Sequence, residues 1–227
     1  MNKMSLSAKA FIGLVIILGS AALANGLAHW RIDAWEQFAA LLAVAVAASR
    51  LKVNLPGVNG CMSVNLIFFL MAAAQLSLGE AVVIACVASL VQSLWASSKR
   101  MKAVQVAFNA ATMISAVALA AMVFQWLSNR GEGLPLALTA AGAAFFLANT
   151  VPVAIVLWVA EEQKPLRTWL ALGCLTFPYY LLSTGMAIAA CTAAKHLGWQ
   201  IPLMLFPLVY LTYRSYQVYF SAASKET

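Results

Sequence analysis

Residues 103–127 read AVQVAFNAATMISAVALAAMVFQWL, twenty-five residues without a charge, a proline or a glycine. At roughly 1.5 Å of rise per residue, a helix over this run exceeds the roughly 30 Å hydrocarbon core of a bilayer. A helix is required there, because a lone strand would leave its backbone groups unsatisfied in lipid. Charged or turn-forming loops bound the run, Ser98–Lys102 before it and Asn129–Gly133 after it. Seven further runs of the same kind lie outward from it, at 8–27, 34–49, 63–78, 80–96, 134–159, 168–194 and 201–220. The expected fold is therefore all-α: a polytopic membrane helix bundle of about eight transmembrane helices, one integral membrane domain over 1–227 without a soluble domain.

Composition supports this class. Apolar residues make up 63% of the 227-residue chain and charged residues 9%, against roughly 45–50% and about 25% in soluble domains. Such a chain cannot clothe a water-exposed globule, and it is too apolar to be disordered. Soluble Rossmann, barrel and sandwich enzymes are excluded on the same ground.

The net charge of +7 acquires its meaning from position. With both termini cytoplasmic, eleven basic residues face inward: Lys3, Lys9, Arg50, Lys52, Lys99, Arg100, Lys102, Lys164, Arg167, Arg214 and Lys225. Three face outward, Arg31, Arg130 and Lys195. This asymmetry is the positive-inside pattern of an inner (plasma) membrane protein, and it leaves no basic face for nucleic acid. The tryptophans at 30, 35, 95, 126, 158, 169 and 199 all fall near expected helix ends, the headgroup level that indole rings favour.

Two stretches are less regular. Runs 34–49 and 63–78 are sixteen residues each, or about 24 Å as helices, short of a full crossing. They read either as a short helical hairpin around Pro56-Gly57-Val58-Asn59-Gly60 or as broken helices of the kind found at transporter sites. At the start, Lys3, Lys9 and Ala22-Leu23-Ala24 resemble a secretory signal. The apolar run is long for one and seven more follow, so an uncleaved first helix is expected.

The sequence offers little for catalysis. No carboxylate lies deep in an expected crossing, so no intramembrane acid/base pair is legible. Glu161-Glu162 and Arg167 are separated by four residues, which does not match the EExxxR motif of CAAX-type intramembrane proteases. No GxSxG, HExxH or phosphate-loop motif occurs. The cysteines (Cys61, Cys86, Cys174, Cys191) lack CxxC spacing, so neither a metal nor another cofactor is expected. Ser77-Leu78-Gly79-Glu80 reads as a helix-opening capping box, which accounts for Glu80.

Uncharged polar residues are the candidate ligand-binding set: Asn65, Gln92, Gln105, Asn109 and Asn149. Gln105 and Asn109, four apart, share a helix face. Two readings stand beside each other. One is a polar, basic-mouthed cavity open to the cytoplasm that takes an amphipathic ligand. The other is hydrogen bonding between helices, with anionic membrane lipid headgroups at Arg50, Lys52, Lys99, Arg100, Lys102 and Arg214. Pro152, Pro178 and Pro207 fall inside expected helices and can kink them. Tyr210, Tyr213, Tyr216 and Tyr219 form a broad interfacial collar.

Several short motifs together resemble the membrane input module at the N-terminus of bacterial GGDEF and HD-GYP signalling proteins. They are Arg50-Leu51-Lys52-Val53-Asn54-Leu55-Pro56-Gly57, Ser63-Val64-Asn65, Leu90-Val91-Gln92-Ser93-Leu94-Trp95, Gln105-Val106-Ala107-Phe108-Asn109, Phe177-Pro178-Tyr179-Tyr180, Gly198-Trp199-Gln200 and Tyr213-Arg214-Ser215-Tyr216. The resemblance spans roughly 50–219 and implies an input region ahead of cyclic di-GMP enzymes. No GGDEF, EAL or HD motif is present, so no cyclic di-GMP chemistry is expected of this chain. It is then a piece of a longer protein, or a module acting alone or with a separate protein partner. Three functions remain in view: a non-enzymatic sensory module for a lipid-like or small amphipathic ligand, a small-solute permease or substrate-binding transporter subunit, and an accessory subunit of a larger membrane complex.

Overall fold

The computed structural model describes residues 6–31, 34–54, 61–95, 101–161 and 165–223. Eight α-helices occur among them: α1 (Leu6–Ala28), α2 (Trp35–Ala48), α3 (Leu66–Gln75), α4 (Leu78–Trp95), α5 (Ala103–Ser128), α6 (Leu134–Glu161), α7 (Pro165–Leu197) and α8 (Ile201–Ala223). Each falls on one of the apolar runs. A single 3₁₀ turn, Gly198–Gln200, joins α7 to α8, with Gly198 at φ 74°, where a side chain would be strained. Pro152, Pro178 and Pro207 lie inside α6, α7 and α8.

Helix length and composition support four of the about eight expected crossings. Four helices, α1, α4, α5 and α6, are long and apolar enough to span a membrane, whereas α2 and α3 are short apolar helices. The fourteen residues of α2 and the ten of α3 give about 21 Å and about 15 Å, well under a bilayer core. Run 63–78 is thus only partly helical. Its first residue, Ser63, belongs to a two-stranded antiparallel hairpin, β1 (Lys52–Asn54) with β2 (Cys61–Ser63), in the register Lys52–Ser63, Val53–Met62 and Asn54–Cys61. The pairing satisfies one edge of each strand, and β1 lies against α8. A purely helical hairpin over 34–78 is therefore replaced by helix–strand–strand–helix.

The shortest helix is the most enclosed. Every residue from Leu66 to Ala73 is buried, because α3 packs against α2, α4, α5, α6 and α7 at once. A helix that is apolar all round belongs in such a place. Elsewhere, small residues bring backbones together, as lipid-embedded helices require. A Cβ on Gly19 would stand 2.5 Å from the Ala111 Cα, and one on Gly142 would stand 2.5 Å from the Thr184 Oγ1. Gly26 and Gly79 face each other across the α1–α4 crossing.

Contacts at the helix ends sort the loops into two groups. Arg50 stacks over the Trp95 ring at 4.4 Å, joining the ends of α2 and α4. At the opposite ends of these helices, Gln37 Nε2 donates to Gln75 Oε1 at 2.6 Å and Ser77 Oγ approaches the Arg31 carbonyl at 3.1 Å. The capping box is as read from the sequence: the Ser77 N–H donates to Glu80 Oε2 (2.9 Å) and the Glu80 N–H to Ser77 Oγ (3.3 Å).

Candidate functional site

Buried polar groups in a membrane bundle are normally paired, so unpaired ones mark places where the protein forgoes stability. Asn65 is the clearest instance. It is 0% exposed, and neither Oδ1 nor Nδ2 has a hydrogen-bond partner. It precedes the first residue of α3, where its carbonyl accepts the N–H groups of Phe68 (3.0 Å) and Phe69 (3.1 Å). Its side chain, however, makes no capping bond. Helix initiation therefore uses the Asn65 backbone and leaves the amide head free.

Tyr179 of α7 closes this corner. Its hydroxyl accepts the Leu66 N–H at 3.1 Å and lies within hydrogen-bonding reach of Ser183. Its ring meets Tyr216 of α8 edge-on at 6.2 Å. Beside it lies a hollow of about 10 Å³ lined by Val64, Ile67, Tyr179, Ser183, Met186, Val209 and Thr212. That volume holds one water molecule, far below the roughly 300 Å³ at which preformed small-molecule sites begin.

The other candidate residues are distributed around the bundle. Gln92 is half-buried on α4. Gln105 and Asn109 share a face of α5 as expected, and that face is exposed; Gln105 Oε1 accepts the Lys102 N–H at 3.0 Å and so caps α5. Asn149 Nδ2 donates to the Tyr180 hydroxyl at 2.8 Å, a bond between α6 and α7 of the kind expected from interhelical packing. The Tyr180 ring meets Phe145 at a tilt and Phe146 edge-on, and Trp169 Nε1 donates to Thr150 Oγ1 at 3.0 Å.

Of the basic residues read as headgroup contacts, Arg50, Lys102 and Arg214 are exposed and Lys52 is half-buried. Arg214 donates to Gln217 Oε1 at 3.2 Å. Lys99 and Arg100 lie outside the described residues. The tyrosines of α8 fan out rather than forming an even collar: Tyr210 and Tyr219 are exposed, and Tyr213 and Tyr216 turn inward. A second orphan pair sits at the capping-box end, where Glu80 is buried with Oε1 unpaired and Trp30 Nε1 lacks a partner.

Sequence reasoning singled out Asn65 but missed Tyr179, whose hydroxyl accepts the N–H of the adjacent Leu66. The available signal was a tyrosine in mid-helix, whose hydroxyl must find a partner when buried.

Because its amide is desolvated without compensation, replacing Asn65 by leucine is expected to stabilise the fold. An unpaired buried amide costs about 1–3 kcal/mol, and leucine has similar bulk. Thermal unfolding in detergent should show Asn65→Leu melting above the parent chain. A lower melting point would mean that the amide holds α3 in place.

The sequence profile of the MASE9 family matches residues 12–220. The chain belongs to the MASE9 family. This is a membrane-associated, sensory-type domain family, and the match runs from within α1 to near the end of α8. No curated protein and no solved structure matches the chain. Membership makes this a membrane domain of sensory type, and the apolar helices agree.

Proposed function

We propose that this MASE9 chain is a non-enzymatic sensory input module of the bacterial inner membrane, which reads a lipid-like or small amphipathic ligand and relays its presence to a cytoplasmic partner or output domain. The observation that carries this reading is Asn65, a polar side chain held buried and unpaired at the start of α3 in a domain of sensory family. The motif likeness to input regions of GGDEF and HD-GYP proteins supports an output of that type.

The chain passes the membrane eight times with both ends cytoplasmic, and the β1–β2 hairpin joins the two short passes, α2 and α3, at the cytoplasmic side. Cysteine labelling from outside, in a background lacking native cysteines, is expected to reach a cysteine placed at Glu132 and to miss one placed at Lys99. The opposite pattern inverts the topology.

The function itself is tested by native mass spectrometry of protein released gently from its own membranes. A discrete bound small molecule is the expected result. Lipids together with a stoichiometric second protein would instead identify an accessory subunit. The permease reading draws on one specific observation, the interruption of the α2–α3 passes by a hairpin. Flux of the bound molecule into proteoliposomes would establish it, and none is expected.

A further inference from the structure

We propose that the start of α3 is a two-position capping switch, in which the Asn65 side chain and the Tyr179 hydroxyl alternate as partners of the first N–H groups of the helix and so set the position of α8. This rests on the reading of the domain as a sensor that relays to a cytoplasmic output, and it names the element that moves.

The first turn of a helix has N–H groups without partners inside the helix. The residue just before it usually supplies one from its side chain, and asparagine is among the best at this. Asn65 holds that position and does not serve. Its backbone is helical, at φ −84° and ψ −14°, and its side chain makes no capping bond. A side-chain cap needs a non-helical, typically extended, backbone at that residue. The partner comes instead from another helix, where the Tyr179 hydroxyl accepts the Leu66 N–H at 3.1 Å. One cap is in use, and a second stands beside it, buried and unpaired.

The unused cap defines the alternative arrangement. Rotation of the Asn65 ψ into the extended region lets Oδ1 accept the N–H of Ile67 or Phe68, the groups that a capping side chain normally serves. The orphaned amide is then paired and Tyr179 is released from Leu66. Each arrangement satisfies a group that the other leaves open. An exchange of one hydrogen bond for another keeps the two populations within about a hundredfold of each other, a ratio that a bound ligand can invert.

The exchange reaches α8 by two routes. The Tyr179 ring meets Tyr216 of α8 edge-on at 6.2 Å, so a ring released from Leu66 shifts against that helix. The second route runs through the hairpin. β2 ends at Ser63, two residues before Asn65, and pairs with β1, which lies against α8. Turning the Asn65 ψ re-aims the chain that enters α3 and carries the hairpin with it. Pro207 inside α8 supplies no N–H to the Leu203 carbonyl, so the helix bends at that level with little resistance. α8 is the helix nearest the C-terminus, which gives the sensor its means of relay.

The test uses the full chain in lipid nanodiscs, in a background lacking native cysteines, with spin labels on cysteines placed at Leu94 and Val218. Both are exposed, at 72% and 65%, near the ends of α4 and α8. Pulsed electron paramagnetic resonance reads the distance between them. Tyr179→Phe removes the hydroxyl and should shift the population about tenfold toward a second distance, the worth of one hydrogen bond. Leu66→Pro should cause the same shift and serves if Tyr179→Phe does not fold. It deletes the N–H that Tyr179 holds, suits the first helical position, and disfavours a helical backbone at the preceding Asn65. Asn65→Leu should give the first distance alone, and adding it to Tyr179→Phe should abolish the shift, because no side-chain cap is left. A shift that persists in the double variant, or one unchanged distance in all the variants, overturns the switch and leaves the sensor reading standing. That reading falls separately, if mass spectrometry of the parent chain finds a second protein and no bound small molecule, whatever the distances show.

Discussion

Gly79→Ala is expected to lower the stability of the folded domain by about 1–3 kcal/mol or more, the range for forcing extra atoms into a packed core. A Cβ on Gly79 would run into the carbonyl oxygen of Gly26 and would stand 3.3 Å from the Trp30 Cα. Both obstacles are backbone, so no side-chain rotation relieves them, and α1 and α4 would have to separate. The reverse substitution site is equally closed, since a Cβ on Gly26 would stand 2.6 Å from a Val82 methyl and 3.2 Å from the Gly79 Cα. In lipid no hydrophobic force pushes helices together, and close backbone approach is itself a main source of association. Separation of α1 from α4 therefore removes one of the two close backbone approaches that hold α1, the other being Gly19 against Ala111 of α5. Gly13→Ala in the same helix supplies the comparison. Nothing lies within 4 Å of its Cβ position, so only the better helix propensity of alanine remains, worth up to about 1 kcal/mol in the stabilising direction. Thermal unfolding of both variants in detergent should move in opposite directions. Equal shifts would show that the Gly26–Gly79 crossing does not control α1.

The helices were legible because hydropathy measures transfer into lipid, and each of the eight runs carries a helix. Ser77 and Glu80 were legible because a capping box is a local device, complete within four residues. The hairpin was not read, although Lys52-Val53-Asn54 and Cys61-Met62-Ser63 flank an Asn59-Gly60 pair, a recognised hairpin signal. Lying between the runs at 34–49 and 63–78, the stretch reads as a turn around Pro56–Gly60, and only Ser63 falls within an expected helix. Orientation about each helix axis was harder still. In water an amphipathic stripe points to the core, but a lipid-embedded helix is apolar on both sides, so the pattern carries no pointer. Gln105 and Asn109 share a face, as their spacing requires, yet spacing could not tell that the face looks outward. For the same reason the sequence did not distinguish α3, enclosed on every side, from α1, which is mostly exposed. Tyr179 joins Leu66 across more than a hundred residues, a contact without a local sequence mark.

The enclosure of α3 leads to the largest single effect expected in this chain. Phe68→Ala should destabilise the domain by about 3–5 kcal/mol, the cost of removing a buried aromatic side chain and leaving its volume empty. Phe68 is 0% exposed, and its neighbours Ile67, Phe69, Leu70 and Met71 are all at 2% or less. They are wedged among five other helices, each tied to further partners, so the surroundings have little freedom to collapse into the void. Lipid as solvent removes part of the transfer term that a water-soluble core would lose, but the cavity term remains, because packing contacts vanish wherever the void is not refilled. Leu14→Ala on α1 is the matched control. Leu14 is 52% exposed and faces the surrounding lipid, which fills the space left by its side chain, so its effect should stay within about 0.5 kcal/mol. The ratio of the two losses, read from unfolding of the purified protein in one detergent, separates a centrally packed α3 from an ordinary membrane-facing helix. If Phe68→Ala costs no more than Leu14→Ala, α3 does not hold the core, and the corner formed by Asn65 and Tyr179 loses its rigid support.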